Sequence, residues 1–151
     1  MANTQLRQLE SQIKGMEKKI RQIILVTLTQ YANRIVSEAV AMVNTTLVNP
    51  RTSYSIEIDE QNLRVDIVNN NDMIAYIEFG TGHPGTVKKG LSAETYLAGQ
   101  PQEVKDAAIE FFVTGEGTIP ARPHLFPTFY KYRDQIIPEI ERRIQKYLKA
   151  A

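Results

Sequence analysis

The feature that most constrains the fold is a proline-free stretch near the start of the chain. From Thr4 to about Leu47 the sequence contains no proline and a single glycine, Gly15. Apolar residues recur in it at spacings of three and four, which is the period of an α-helix. The stretch therefore predicts one helix of about 44 residues, roughly 65 Å long if it is unbroken.

The apolar stripe of this helix changes along its length. Up to Ile23 it is a narrow heptad seam bordered by charged residues, and beyond Ile23 it widens into the broad face of a core helix. A narrow seam on a lone helix leaves apolar side chains in water, so it needs a partner. We therefore predict that residues 1–23 form an arm that packs against other copies of the chain; the alternative is that the arm folds back on its own domain. The predicted interface residues are Leu6, Leu9, Ile13, Met16, Ile20 and Ile23.

Composition limits what the rest of the chain can be. In a chain of 151 residues, positions 24–151 suit a single domain. The formal net charge of +1 gives no overall attraction to nucleic acid or to an anionic membrane. The absence of cysteine excludes disulfides, thiolate zinc sites and cysteine nucleophiles. No apolar stretch approaches the ~20 residues of a membrane span, so we expect no membrane partner.

Past the first helix, the period of the apolar residues changes to two. The pattern predicts strands from Tyr54 to Ile58 and from Leu63 to Val68, paired as an antiparallel hairpin. The apolar run from Met73 to Phe79 predicts a third strand, and Ile119 the start of a fourth. We therefore expect an α+β fold, in which a long N-terminal helix and a C-terminal helix pack on a small, mainly antiparallel sheet of three to four strands.

Residues 80–118 are predicted to be an insertion within this domain, made of a loop and one short helix. Pro101 suits the first position of that helix, and Gly115 suits its end. The segment from Pro120 to Pro127 is predicted to be extended, because residues before proline avoid the α region. A final helix follows, and Pro138 predicts a kink or a restart within it.

No pattern in the chain is typical of a catalytic, cofactor or metal site. Gly85 is followed by Thr86 and not by the lysine of a phosphate-binding loop. The two histidines, His83 and His124, are isolated residues in separate loops, which is typical of polar surface or subunit-contact positions. The alternative is a small metal-dependent hydrolase that uses both histidines together with Glu78.

Charged residues suggest two further contacts. Glu78 and Arg122 lie in apolar or rigid surroundings where an unpaired charge is costly, so we predict a bridge between them; the alternative is that both face solvent or another subunit. Basic residues on the arm and the last helix could touch DNA phosphates without reading sequence, although acidic residues lie among them. These basic residues are Lys18, Lys19, Arg21, Arg142, Arg143, Lys146 and Lys149, and Lys88 and Lys89 of the insertion belong to the same set.

Two short motifs resemble a known family. The run from Tyr76 to Gly82 contains Glu-Phe-Gly-Thr, and the run from Pro120 to Pro127 contains Ala-Arg-Pro-His-Leu. With the long first helix, they resemble the small tail-component, neck and tail-completion (head–tail joining) proteins of long-tailed double-stranded DNA bacteriophages. The likeness covers roughly Ile24 to Leu148. It departs at His124, where the family more often has phenylalanine.

The resemblance implies a non-enzymatic virion protein of the neck or upper tail, assembled in the host cytoplasm. It implies a closed homo-oligomeric ring, commonly six-fold, next to the head–tail connector, tail terminator or other tail proteins, with possible non-specific contact to packaged DNA. The alternative from another class is a DNA-associated packaging or regulatory factor. The residues that the resemblance marks as a structural motif are Glu78, Phe79, Gly80, Thr81, Gly82, Arg122 and Pro123.

Overall fold

The first helix, α1, runs from Ala2 to Met42 and has 41 residues. Residues 4–19 are exposed along its first half, whereas Ile35 and Ala39 are buried in its second half. The change from exposed to buried agrees with the predicted widening of the apolar stripe. The computed structural model describes residues 2–43, 48–110 and 115–151, so the predicted helix end near Leu47 lies outside the described residues.

The predicted hairpin is confirmed. Strand β1 (Tyr54–Asp59) pairs antiparallel with strand β2 (Arg64–Asn69), and Tyr54 lies opposite Asn69. The connecting turn is held by Asp59, whose Oδ1 accepts hydrogen bonds from the amides of Gln61 at 3.1 Å and Asn62 at 3.0 Å. The hairpin contacts α1, which places its two strands against the helix.

The predicted third strand is wrong, because residues Asp72–Phe79 form a helix, α2. Asn71 caps this helix by accepting a hydrogen bond from the amide of Met73 at 3.0 Å. The helix is buried on several sides, so its sequence is an apolar run without the polar face that distinguishes a surface helix from a buried strand.

Over the described residues the sheet therefore has two strands, fewer than the three to four predicted. Ile119 does not begin a strand. Its carbonyl instead accepts hydrogen bonds from the amides of Thr81 at 2.9 Å and Gly82 at 3.3 Å. An isolated bridge between Gly82 and Gly117 lies beside it.

The insertion contains two short helices where one was predicted. Helix α3 (Ala93–Ala98) is capped by Ser92, whose side chain accepts a hydrogen bond from the amide of Thr95. Helix α4 (Gln102–Glu110) begins beside Pro101 as predicted. Residues 111–114 of the predicted short helix lie outside the described residues.

The last helix, α5 (Leu125–Ala150), begins earlier than predicted. The segment through Pro127 is not wholly extended, because Pro127 lies in the first turn of α5, where a missing amide costs no intrahelical hydrogen bond. Pro138 lies inside the continuous helix, so the predicted restart is wrong. Helix α5 packs along α1, and the Arg143 guanidinium reaches Gln30 Oε1 at 2.7 Å.

Helix α2 joins the two halves of the core. Phe79 packs with Tyr96 and Val104 of α3 and α4, whereas Ile74 and Ile77 pack with Tyr54 of the hairpin. The architecture is thus α+β, as expected, with long N-terminal and C-terminal helices, a two-stranded antiparallel sheet and short helices.

Candidate functional site

The two motifs meet where the end of α2 faces the start of α5. The amide of Arg122 donates to the carbonyl of Ile77 at 2.7 Å. The Glu78 carboxylate accepts hydrogen bonds from the amides of His124 at 2.7 Å and Leu125 at 2.9 Å, and from that of Phe126 at 3.3 Å. The first amides of a helix lack intrahelical partners and carry partial positive charge, so a carboxylate satisfies both needs.

The side chain of His124 completes this junction. Its Nδ1 lies 2.9 Å from Glu78 Oε2 and 2.8 Å from the carbonyl oxygen of Arg122. Both of these atoms are acceptors, so Nδ1 carries a proton. The Nε2 atom lies 2.7 Å from the Tyr54 hydroxyl, which ties the junction to the hairpin.

Two tyrosine hydroxyls form hydrogen bonds with this polar cluster, Tyr54 with His124 and Tyr96 with Glu78. The Tyr96 hydroxyl donates to Glu78 Oε1 at 3.2 Å. Burial and the nearby charge of Glu78 raise the pKa of Tyr54 and of Tyr96 well above the usual value, so both hydroxyls keep their protons.

The junction is sealed from solvent. Glu78 is 3% exposed and His124 is 1% exposed. The expectation of a surface or subunit-contact histidine is therefore wrong for His124, which is a core residue. The Glu78 carboxylate lies buried between α2, α5 and the hairpin, where it holds the start of α5 against the end of α2.

Other charged candidates lie elsewhere. Arg122 is exposed, and its backbone amide and carbonyl contribute to the junction. The imidazole of His124 lies against the Glu78 carboxylate. A bridge between Glu78 and Arg122 stays a prediction. His83 lies in the exposed loop, where its Nδ1 accepts from the amide of Gly85 at 3.0 Å. Within the described ranges, no group of three or more histidine and carboxylate side chains could hold a metal ion.

The glycine motif is a close-packing contact. Gly80 has φ +73°, and a Cβ atom added to it would lie 2.5 Å from the amide nitrogen of Ala121. The Thr81 hydroxyl accepts from the amide of Ile119 at 3.1 Å. Phe79 is buried and stacks on Phe126 with ring centroids 5.7 Å apart. The loop amides of Thr81 and Gly82 bond the Ile119 carbonyl, so they are not directed at a phosphate.

The arm carries the predicted seam as an exposed surface. Leu6 is 58%, Leu9 53%, Ile13 56% and Met16 37% exposed. Ile20 and Ile23 are half-buried, where α1 approaches the hairpin turn. The Arg21 guanidinium marks this approach, since it donates to the carbonyls of Glu60 and Gln61, both at 2.9 Å. Residues 4–19 of the arm are therefore not folded back on the domain, whereas the base of the arm contacts the hairpin turn.

A surface groove of about 1030 Å³ lies between the base of the arm and the hairpin turn. Its lining includes the exposed apolar side chains Val26 and Ile58. Charges of both signs, among them Lys14 and Glu60, also line it. The residues that line it do not include those of the predicted seam.

Several of the predicted DNA-contacting residues make contacts within the chain. Hydrogen bonds from Arg142 and Arg143 lower the pKa of Glu139 to about 2. Both guanidinium groups approach Glu139 at 2.7 Å. Lys146 and Lys149 remain exposed at the end of α5. The mixed charge of this surface does not form a continuous basic patch for phosphates.

Sequence reasoning identified Glu78 but missed Tyr54, Tyr96 and the burial of His124. A signal was available, because the first amides of the last helix need acceptors and Glu78 is the one acid within an apolar run. The two tyrosines come from distant parts of the chain, and no local pattern places them.

Comparisons of the chain with protein-family models, with curated proteins and with solved structures found no match. Among the described helices, none is long and apolar enough to cross a bilayer. Function is therefore inferred from the exposed seam, the buried junction and the two motifs.

Proposed function

We propose that this chain is a non-enzymatic structural virion protein of the neck or upper tail of a long-tailed bacteriophage, acting in tail completion or head–tail joining. It assembles as a homo-oligomeric ring, which the resemblance implies to be six-fold. Its neighbours are the head–tail connector, the tail terminator or other tail proteins, and any contact with packaged DNA is non-specific and made through phosphates.

The observation that carries the proposal is the exposed seam from Leu6 to Met16. Its apolar side chains project from a helix whose residues 4–19 are all exposed. A contiguous apolar surface of this kind is typical of a protein–protein contact. The arm thus supplies a surface that other copies can cover.

A ring also needs subunits that hold a fixed shape. The Glu78 junction ties α2, α5 and the hairpin together through buried hydrogen bonds, and Gly80 packs its backbone against Ala121. Because α1 continues from the arm into the core without interruption, its direction is set by the domain. A repeated contact between such subunits closes into a ring when each is rotated equally from the last.

Electron microscopy of the purified chain tests this proposal directly, by imaging rings and their symmetry. Deletion of Met1 to Arg21 should leave a folded domain that no longer assembles, because the seam is removed and the core is kept. Light scattering gives the mass, and circular dichroism checks folding. An unchanged oligomer after the deletion contradicts the role of the arm, and a chain that is monomeric at high concentration contradicts the proposal as a whole.

A further inference from the structure

The seam has the regular heptad spacing of a coiled coil. With Leu6 at position a, the a positions are Leu6, Ile13 and Ile20, and the d positions are Leu9, Met16 and Ile23. This 3-4 alternation keeps one apolar line facing a partner helix along the whole arm. The side chains from Leu6 to Met16 are exposed, so four consecutive core layers are open to another helix.

The positions on the outer side of the arm differ in character. Ser11 and Lys18 occupy the f positions, directly opposite the seam, and Gly15 occupies a c position with no heavy atom within 4 Å of a Cβ added there. A partner on the outer side would meet polar groups and a glycine. The arm therefore has one face for association.

The residues that border the seam favour one orientation of the partner. Position e holds Glu10 and Glu17, and position g holds Gln5, Gln12 and, at the base of the arm, Lys19. In a parallel pair, each g residue faces the e residue of the next heptad on the other chain, so glutamine meets glutamate and can donate a hydrogen bond. In an antiparallel pair the two e columns face each other, so glutamate would meet glutamate.

We infer that the arms of neighbouring copies of this chain associate in parallel and in register as a coiled coil. The inference rests on the proposed self-association and adds the orientation of the arms. Rotation about the axis of a closed ring gives every arm the same tilt to that axis, so arms that gather around the axis run parallel and in register. The open seam spans only about two heptads, so the association depends on the high local concentration within the assembly.

Single cysteines test the orientation, because the chain contains none. In a parallel pair in register, equal residues meet across the seam, so Leu9→Cys and Ile13→Cys should each give a disulfide-linked dimer in a mildly oxidising glutathione buffer. The matched control is Ser11→Cys, on the same helix but on the outer side, which should stay uncrosslinked. Cysteine is small and apolar, so the seam variants keep an apolar core position. Gel electrophoresis without reductant gives the readout, with light scattering on the same reduced samples.

Each other outcome overturns a defined part of the reasoning. If Leu9→Cys and Ile13→Cys stay unlinked while a mixture of Leu6→Cys and Met16→Cys chains links, the arms are antiparallel and the inference is wrong. If no variant links in an oligomer of unchanged mass, self-association stands and the coiled coil is wrong. Equal linking of Ser11→Cys shows random collision and also overturns the coiled coil. A monomer at every concentration overturns the proposed function as well.

Discussion

Replacing Glu78 by alanine is expected to be among the most destabilising changes in the domain. The carboxylate accepts hydrogen bonds from three backbone amides at the start of α5 and from the Tyr96 hydroxyl, and it faces the His124 ring. Alanine removes all of these acceptors while the donors stay buried. A buried amide without a partner costs about 1–3 kcal/mol, and Glu78→Ala leaves three such amides at the start of α5 without their acceptor.

With about 1–3 kcal/mol for each of the three amides, we expect Glu78→Ala to lower the free energy of unfolding by at least about 3 kcal/mol, a large part of the 5–15 kcal/mol typical of a domain. Glu78→Gln keeps one oxygen acceptor but places an amide group against a remaining donor. Its expected loss is smaller, about 1–3 kcal/mol. Stability should therefore increase in the order Glu78→Ala, Glu78→Gln, wild type, because the number of remaining acceptor oxygens increases in that order.

Urea denaturation followed by far-UV circular dichroism measures these losses, at one fixed protein concentration because self-association also stabilises the folded state. With a slope of about 1–3 kcal/mol per molar urea, Glu78→Ala should move the midpoint down by at least about 1 M. The matched control is Glu141→Gln, an exposed glutamate on α5, for which the expected change is within about 0.5 kcal/mol. A loss below about 1 kcal/mol for Glu78→Ala would show that the junction does not hold α5 in place.

Four further substitutions test other parts of the molecule. Gly80→Ala should lower the free energy of unfolding in urea by at least about 2 kcal/mol, because Gly80 has a positive φ and its added Cβ would meet the Ala121 backbone. Gly15→Ala, on the exposed part of α1, should instead raise the free energy of unfolding by about 0.5–1 kcal/mol. Equal effects of the two substitutions would contradict the close packing at Gly80. Arg142→Met should raise the pKa of Glu139 from about 2 toward 4.5, which an NMR titration measures. Because the pKa of Glu139 is lowered in the folded state, its carboxylate contributes to folding stability above about pH 4.5, and this contribution is lost as the pH falls toward 2. Ile13→Asp should lower the oligomer mass in light scattering without loss of helical signal, and an unchanged mass would remove the seam from the interface.

The elements that sequence reasoning located are those whose periodicity is strong. The stripe of α1 and the alternation around Ile56 and Ile67 each have one wet face, so the period reveals the structure. Helix α2 exposes too little of its surface to show a helical period, since Ile74, Ile77 and Phe79 are buried along with Glu78. Without a polar side, an apolar run of seven or eight residues fits a buried strand as well as a helix.

The candidate site shows the same limit for contacts between distant residues. Glu78 stood out as an acid within an apolar run, and its need for a partner was predicted from the cost of burying charge. The donors that meet it come from the start of α5, and their number depends on where that helix begins. A helix start at Leu125 was not predicted, because Pro127 suggested an extended chain. The amides of the first helical turn, which donate to Glu78, could therefore not be predicted either.

The junction and the arm should behave as independent parts of one rigid subunit. Glu78 stabilises the folded domain and lies buried between α2 and α5, whereas Ile13 is exposed on the arm and contacts no core cluster. Changes at separate sites with no shared partners add in their free energies. In a chain kept monomeric by dilution, Ile13→Asp should therefore leave the loss caused by Glu78→Gln unchanged within about 0.5 kcal/mol.

At concentrations where the wild type assembles, the same double variant should lose additional stability, because burial of the seam also favours the folded state of each subunit. A non-additive result in the monomer would mean that the arm contacts the domain in solution, and the seam would then have an intramolecular partner.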